Sequence, residues 1–132
     1  MLKLSTKTQY GLRAIVYLAK NKSKFCSLKE ISDAEEISFD YLEKIMSKLK
    51  KASFLKSKKG VLGGYQLKKN PKAIKAGDLV KILEGDLALV KCAGAVGVCD
   101  KEKNCLTRAL WQKTQKAISQ ALDSLTLADL VK

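Results

Sequence analysis

Near the start of the chain, apolar residues recur at helical spacing. Leu12, Ile15, Val16 and Ala19 follow the i, i+3, i+4, i+7 rule and predict an amphipathic helix from about Thr6 to Lys20. Ser27 opens a second, shorter helix whose apolar positions are Leu28, Ile31 and Ala34. Glu30 stands three residues on, the spacing of a reciprocal capping box. Glu35, Glu36 and Ile37 then form a tight connection to Ser38, an N-cap for a third helix reaching about Lys51. In that helix Leu42, Ile45, Met46 and Leu49 share one stripe, while Asp40, Lys44, Ser47, Lys48 and Lys51 fall opposite.

Two short helices, a brief turn and a helix with an outward polar face make the helix-turn-helix pattern. The next stretch of chain reads as a wing. Leu55–Lys58 and Tyr65–Leu67 predict paired strands, joined by a loop whose Gly60, Gly63 and Gly64 permit positive φ. Such a short basic hairpin suits a phosphate backbone or a minor groove. Asn70 and Pro71 punctuate the chain before a short helix over Ala76–Glu84, with Leu79, Ile82 and Leu83 buried and Gly85 ending it.

Periodicity fades between Asp86 and Asn104, and a long helix runs from about Leu106 to Ser124. Leu106, Leu110, Ala117, Ala121 and Leu125 recur along it. A helix that long cannot bury its stripe on one small domain, so a partner helix is expected and the chain should form a homodimer. Thr126 and Asp129 predict a last capped turn. The fold expected is mainly α: a winged helix-turn-helix with a small β-hairpin wing and a long C-terminal dimerisation helix. Its units are a DNA-binding domain over residues 1–85, a cysteine-bearing sensor loop over 86–105, and the dimerisation helix and turn over 106–132.

Composition sharpens the choice of partner. The 132 residues are 46% hydrophobic, which fits a globular chain. Lys and Arg number 26 against 13 acidic residues, for a net charge of +13. That excess points to nucleic acid first and an anionic membrane surface second. Charge alone leaves a merely basic soluble protein equally open. The apolar run Leu12–Ala19 contains Arg13 and is too short to span a bilayer. The first seven residues lack the apolar core of a secretory signal, so a cytoplasmic location is expected. There is no histidine, no phosphate loop and no nucleophile–base arrangement, which argues against an enzyme.

The wording of the chain resembles the IscR/NsrR/CymR-type winged-helix regulators (the Rrf-two family), nearest the IscR type. The resemblance rests on Leu4–Lys7 with Tyr10, Ile37–Glu43, Gly60 with Gly63–Tyr65, Ala76–Asp78, Leu83–Gly85, Cys105–Trp111 and Leu125–Leu127, in one order over nearly the whole chain. It implies a homodimeric DNA-binding transcription regulator of genes for iron–sulfur assembly, cysteine metabolism or redox stress. In cluster-binding members three cysteines precede the dimer helix, and Cys92, Cys99 and Cys105 stand there here.

Lysines would supply affinity by displacing counterions, with a salt slope of about −0.9 per phosphate neutralised. Candidates are Lys7 on the first helix, Lys44 and Lys48 on the third, and Lys56, Lys58 and Lys59 on the wing. For any one of them an ordinary solvated charge is the alternative. Base reading falls to the start of the third helix: Ser38, Asp40, Tyr41 and Glu43. Ser38 has the competing role of cap. Glu43 either accepts from cytosine N4 or pairs with a lysine of its own helix. Lys59 matches the position of a minor-groove arginine but lacks the planar guanidinium fork. Glu36 stands where many members have glycine, and a positive φ there is costly, so a differently shaped turn is expected.

Six and five residues separate the three cysteines, with Ala93, Gly94 and Gly97 among them. Small residues let thiolates converge on a metal, though zinc fingers use tighter spacing. Spacing alone leaves metal and unligated thiols open. The resemblance favours an iron–sulfur cluster, a two-iron form ahead of a four-iron one. It also shows two departures: Arg108 replaces a histidine ligand of IscR-type members, and Gln9 an aspartate of NsrR-type members, so the fourth ligand is open. Loss or oxidation of the cluster would then shift DNA affinity, whereas a clusterless regulator would sense through a thiol or a partner protein. A nucleic-acid-binding module without a regulatory role is a further alternative. Cys26, before the second helix, is read as structural, with redox sensing as its alternative.

Overall fold

The computed structural model describes residues 3–85, 87–90, 97 and 104–132. The first helix, α1, spans Thr6–Lys20 and is capped by Ser5, whose Oγ accepts from the Thr8 N–H at 3.3 Å. Its buried face is wider than the predicted stripe. Ala14, Ile15, Leu18 and Ala19 are buried, and Leu12 and Val16 pack half-buried against the same core. The reason is its central position, with contacts to α2, α3, α4 and the wing.

Helix α2 spans Leu28–Glu35. Ser27 Oγ accepts from the Glu30 N–H at 3.0 Å, but the expected capping box is only half made. The Glu30 carboxylate turns instead to the Tyr17 hydroxyl at 2.6 Å and Lys24 Nζ at 3.0 Å. A phenol and an ammonium outcompete one backbone N–H for a carboxylate. Ala34, expected on the apolar side, is exposed.

The turn after α2 corrects a second expectation. Glu36 adopts φ 54° and ψ 45°, the left-handed conformation that glycine takes without cost. Anchors on both sides enforce it. Arg13 donates to the Glu35 carbonyl and carboxylate, Ser32 Oγ donates to the Ile37 carbonyl, and Ile37 is buried. Tertiary bonds therefore override local preference.

Helix α3 spans Phe39–Lys51 with Ser38 as cap, and Leu42, Ile45, Met46 and Leu49 are fully buried. Strand β1 (Leu55–Lys58) pairs antiparallel with β2 (Gly64–Leu67), Leu55 opposite Leu67 and Lys58 opposite Gly64. Cys26 extends this ribbon: its N–H donates to the Tyr65 carbonyl and its carbonyl accepts from the Tyr65 N–H, both at 2.8 Å. A Cβ on Gly64 would lie 2.1 Å from the Cys26 carbonyl oxygen, so only glycine lets the wing dock so closely.

A 3₁₀ turn, Pro71–Ala73, capped by Asn70, leads to α4 (Ala76–Glu84). Helix α5 spans Arg108–Asp123, two residues shorter at its start than expected, and α6 spans Leu127–Leu130. The Thr126–Asp129 capping box is made in both directions. The chain end also joins the winged domain: Leu127 is fully buried, and its N–H donates to the Ile74 carbonyl at 2.8 Å. No helix among the described residues is long and apolar enough to cross a membrane.

Candidate nucleic-acid interface

Helix α3 turns its polar side to solvent because its apolar stripe is consumed by the core. Along that side Asp40, Glu43, Lys44, Ser47, Lys48 and Lys51 line an open groove, and Lys7 closes it from the first turn of α1. Lys44 and Lys51 are exposed and Lys48 is half-buried, so the basic face remains accessible. Four lysines share the groove with two carboxylates. Burial and the neighbouring Lys48 and Lys44 ammoniums hold Lys7 below its ordinary pKa. Like charges converging in this way favour the entry of an anion.

The candidate base readers divide. Ser38 Oγ accepts from the Tyr41 N–H at 3.4 Å, its capping role. Asp40 and Glu43 are exposed in the groove. The described ion pairs, Arg13–Glu35, Lys24–Glu30, Lys29–Asp33 and Lys132–Asp129, do not involve Glu43. Tyr41 stands edge-on to Tyr10 with ring centroids 5.7 Å apart, and Arg13 lies over the other ring of that pair. Tyr41 is thus braced, with about a third of its surface exposed.

On the wing, Lys56 and Lys58 share one face of β1, and both ammoniums lie under 6 Å from the centre of the Phe25 ring. A second groove runs between the wing and the starts of α2 and α3, with Lys29, Lys50, Lys58, Lys59 and Phe39 on its walls. Lys50 Nζ donates to Ser57 Oγ at 2.6 Å and ties α3 to the wing. Lys29, Lys50 and Phe39 were not among the residues expected from sequence. Lys50 was findable: it falls seven residues beyond Glu43, on the flank of the polar face.

Of the three cysteines proposed as ligands, Cys92 and Cys99 lie outside the described residues. Cys105 lies just before α5, half-exposed, with Sγ 3.2 Å from Thr107 Oγ1. Among the described residues no three His, Cys, Asp or Glu side chains converge to hold a metal. Gln9 is exposed and donates to the Leu4 carbonyl at 3.1 Å, and Arg108 occupies the first turn of α5. Cys26 is fully buried, and burial, with Glu30 beside it, pushes its thiol up to about 11. The side chain packs within the hydrophobic core.

The apolar stripe of α5 stays uncovered. Leu106, just ahead of the helix, is 97% exposed, Leu110 56% and Leu125 45%. Ala117 and Ala121 are also exposed.

A helix-turn-helix with a basic outer face and a lysine-edged hairpin beside it defines a winged-helix DNA-binding regulator. The chain belongs to the Rrf2 family, described as iron-dependent transcriptional regulators, whose model matches residues 4–132. It is 38% identical to protein rrf2 of Nitratidesulfovibrio vulgaris, over 99% of this chain and 88% of the relative. It is similar to the solved structure of CymR, the global cysteine regulator of Bacillus subtilis, with a TM-score of 0.81, 39% identity and coverage of 99% and 97%. The structure of T. potens IscR matches with a TM-score of 0.80, 37% identity and coverage of 98% and 86%. These relatives are transcription regulators, not enzymes.

Proposed function

We propose that this regulator binds operator DNA as a homodimer through residues 1–85, with residues 106–132 joining the subunits and residues 86–105 acting as the sensor. The observation carrying this reading is the groove of Lys7, Lys44, Lys48 and Lys51 along an otherwise buried helix. Lys7, Lys44 and Lys48, with Lys56, Lys58 and Lys59 on the wing, neutralise phosphates. Asp40, Glu43 and the exposed edge of Tyr41 face the bases, and Ser38 sets the start of the helix that presents them. The bare stripe Leu106, Leu110, Ala117, Ala121 and Leu125 pairs with its copy, which would set two recognition helices about 34 Å apart for successive half-sites.

Cys92, Cys99 and Cys105 would hold an iron–sulfur cluster, and the family's description as iron-dependent supports this. Such a group would be held by these thiolates and would supply redox-sensitive chemistry to the sensor segment. The second reading is a regulator of the same fold that senses without a cluster, and the likeness to the global cysteine regulator favours it. Iron and acid-labile sulfide analysis of oxygen-free preparations, with visible spectra, separates the two. Stoichiometric iron and sulfide, lost in Cys92→Ala, Cys99→Ala and Cys105→Ala, supports the first; a colourless, iron-free protein that binds DNA supports the second. A dimer that loses neither affinity nor salt dependence when Lys44 and Lys48 become glutamine refutes the DNA-binding mode.

A further inference from the structure

The tip of the wing carries two bare hydrocarbon side chains. Val61 is 101% and Leu62 83% exposed. They are the central residues of a turn closed by the Gly63 N–H, which donates to the Gly60 carbonyl at 3.0 Å. Turns of this kind favour Asn, Asp, Ser or Gly, whose side chains bond locally or leave the backbone free. Branched apolar groups at both central positions bring the hairpin no such bond and lie outside the hydrophobic core.

The neck of the wing is held in place. The strands pair from Leu55–Leu67 to Lys58–Gly64, Gly64 seats against Cys26, and Lys50 braces Ser57. Residues 55–67 contain Lys56, Lys58 and Lys59 and no carboxylate. The result is a projection with a braced neck, lysines along its β1 arm and hydrocarbon at its end, bordering the groove between wing and α3.

We propose that Val61 and Leu62 form an apolar wedge that enters the minor groove of the bound duplex and selects A·T-rich steps. The inference rests on the DNA-binding reading above and deepens it. Lysines along the β1 arm meet the phosphates beside that arm, and the two side chains pack on sugar edges and the groove floor. Hydrocarbon offers no acceptor to the guanine N2 amine, so a G·C step there leaves a buried donor unpaired. A second copy of the wing is excluded as occupant by its own positive charge. An acidic protein surface is the rival occupant.

The test uses the full chain and a duplex that the protein itself selects from a random-sequence pool. Adenines flanking the recognition-helix contacts are replaced singly by 2,6-diaminopurine, which adds an amine in the minor groove and leaves the major-groove pattern intact. Wild-type affinity is expected to fall about tenfold at the wedge steps and nowhere else. Val61→Ser with Leu62→Ser, both good turn residues, is expected to bind about 30-fold more weakly (about 2 kcal/mol), with an unchanged salt slope. That variant should also be indifferent to diaminopurine. The wild-type substitution scan needs no variant, so an altered hairpin cannot obscure the outcome. Steeply salt-dependent binding by wild type that ignores diaminopurine, together with full affinity in the double serine variant, overturns the wedge and leaves the protein-surface occupant. Binding without salt dependence overturns the underlying reading instead.

Discussion

Lys7→Gln is expected to make the free protein more stable and its DNA complex weaker. Lys7 is partly withdrawn from water beside Lys48 and Lys44, so its charge works against the folded state. Glutamine has a helix propensity close to that of lysine, which leaves the charge as the main difference. For a group this accessible the relief is small, about 0.2–1 kcal/mol, and grows as salt is lowered. The binding side is larger. In the proposed dimer, one cation lost from each subunit would remove two phosphate contacts, and at about 0.9 each the salt slope would shrink by about 1.8. If the two salt lines meet at 1 M, affinity at 0.2 M falls about 20-fold. Urea unfolding of the free protein and fluorescence titration of labelled duplex over a salt series measure the two effects. A variant that is less stable at low salt, or whose salt slope matches wild type, refutes the view of Lys7 as a strained phosphate ligand.

Other substitutions probe the frame around the interface. Gly64→Ala places a methyl 2.1 Å from the Cys26 carbonyl at a φ of +144°, and should cost about 2–4 kcal/mol in urea unfolding; a loss below about 0.5 kcal/mol would show that the wing need not dock there. Glu36→Gly relieves the left-handed turn and should stabilise by about 0.5–1 kcal/mol, so a lowered midpoint contradicts the strain assigned to it. Hydrogen bonds from Thr8 and Ser5 hold the Glu84 carboxyl below its ordinary value of 4.5. Its contribution is therefore complete above 4.5 and disappears as pH falls through the lower folded value. Glu84→Gln should flatten, without abolishing, the acid decline of stability, since Glu30 and Asp129 are depressed too. Cys26, with its thiol near 11, should resist iodoacetamide at pH 8 until the chain unfolds; equal labelling rates in buffer and urea would place it at the surface.

The sequence is most legible where one physical requirement dominates. Leu42, Ile45, Met46 and Leu49 must face inward together, so the basic face of α3 follows from spacing alone. The wing is legible for a similar reason, since Gly60 and Gly64 mark positions that demand positive φ. Competition between partners is what spacing cannot weigh. Glu30 had a good cap signal, yet Tyr17 on a neighbouring helix takes its carboxylate. Glu36 had poor turn chemistry, yet Arg13, twenty-odd residues earlier, fixes the carbonyl before it. The burial of Leu127 depends on the chain returning to Ile74, a long-range event with no local signature. Phe39, Lys29 and Lys50 meet only across the gap between helix and wing, so no window of sequence brings them together.

Helix α1 explains why the interface is built as it is. Its apolar face forms the middle of the core, so its first turn is held in a fixed place relative to α3. That placement brings Lys7 to the groove while the next residue, Thr8, is fully buried and bonded to Glu84 at the end of α4. One turn further, Tyr10 braces Tyr41 and Arg13 pins the helix-turn-helix corner. A lysine on a loop would relax away from Lys48 and Lys44 in the free protein and then have to be ordered on DNA. Held on a buried helix, Lys7 bears its repulsion in the free protein, and in the proposed binding mode a phosphate entering the groove would relieve it without that ordering cost. The expected loss of stability and the expected gain in affinity would thus have one source, the helical backbone beneath a cluster of like charges.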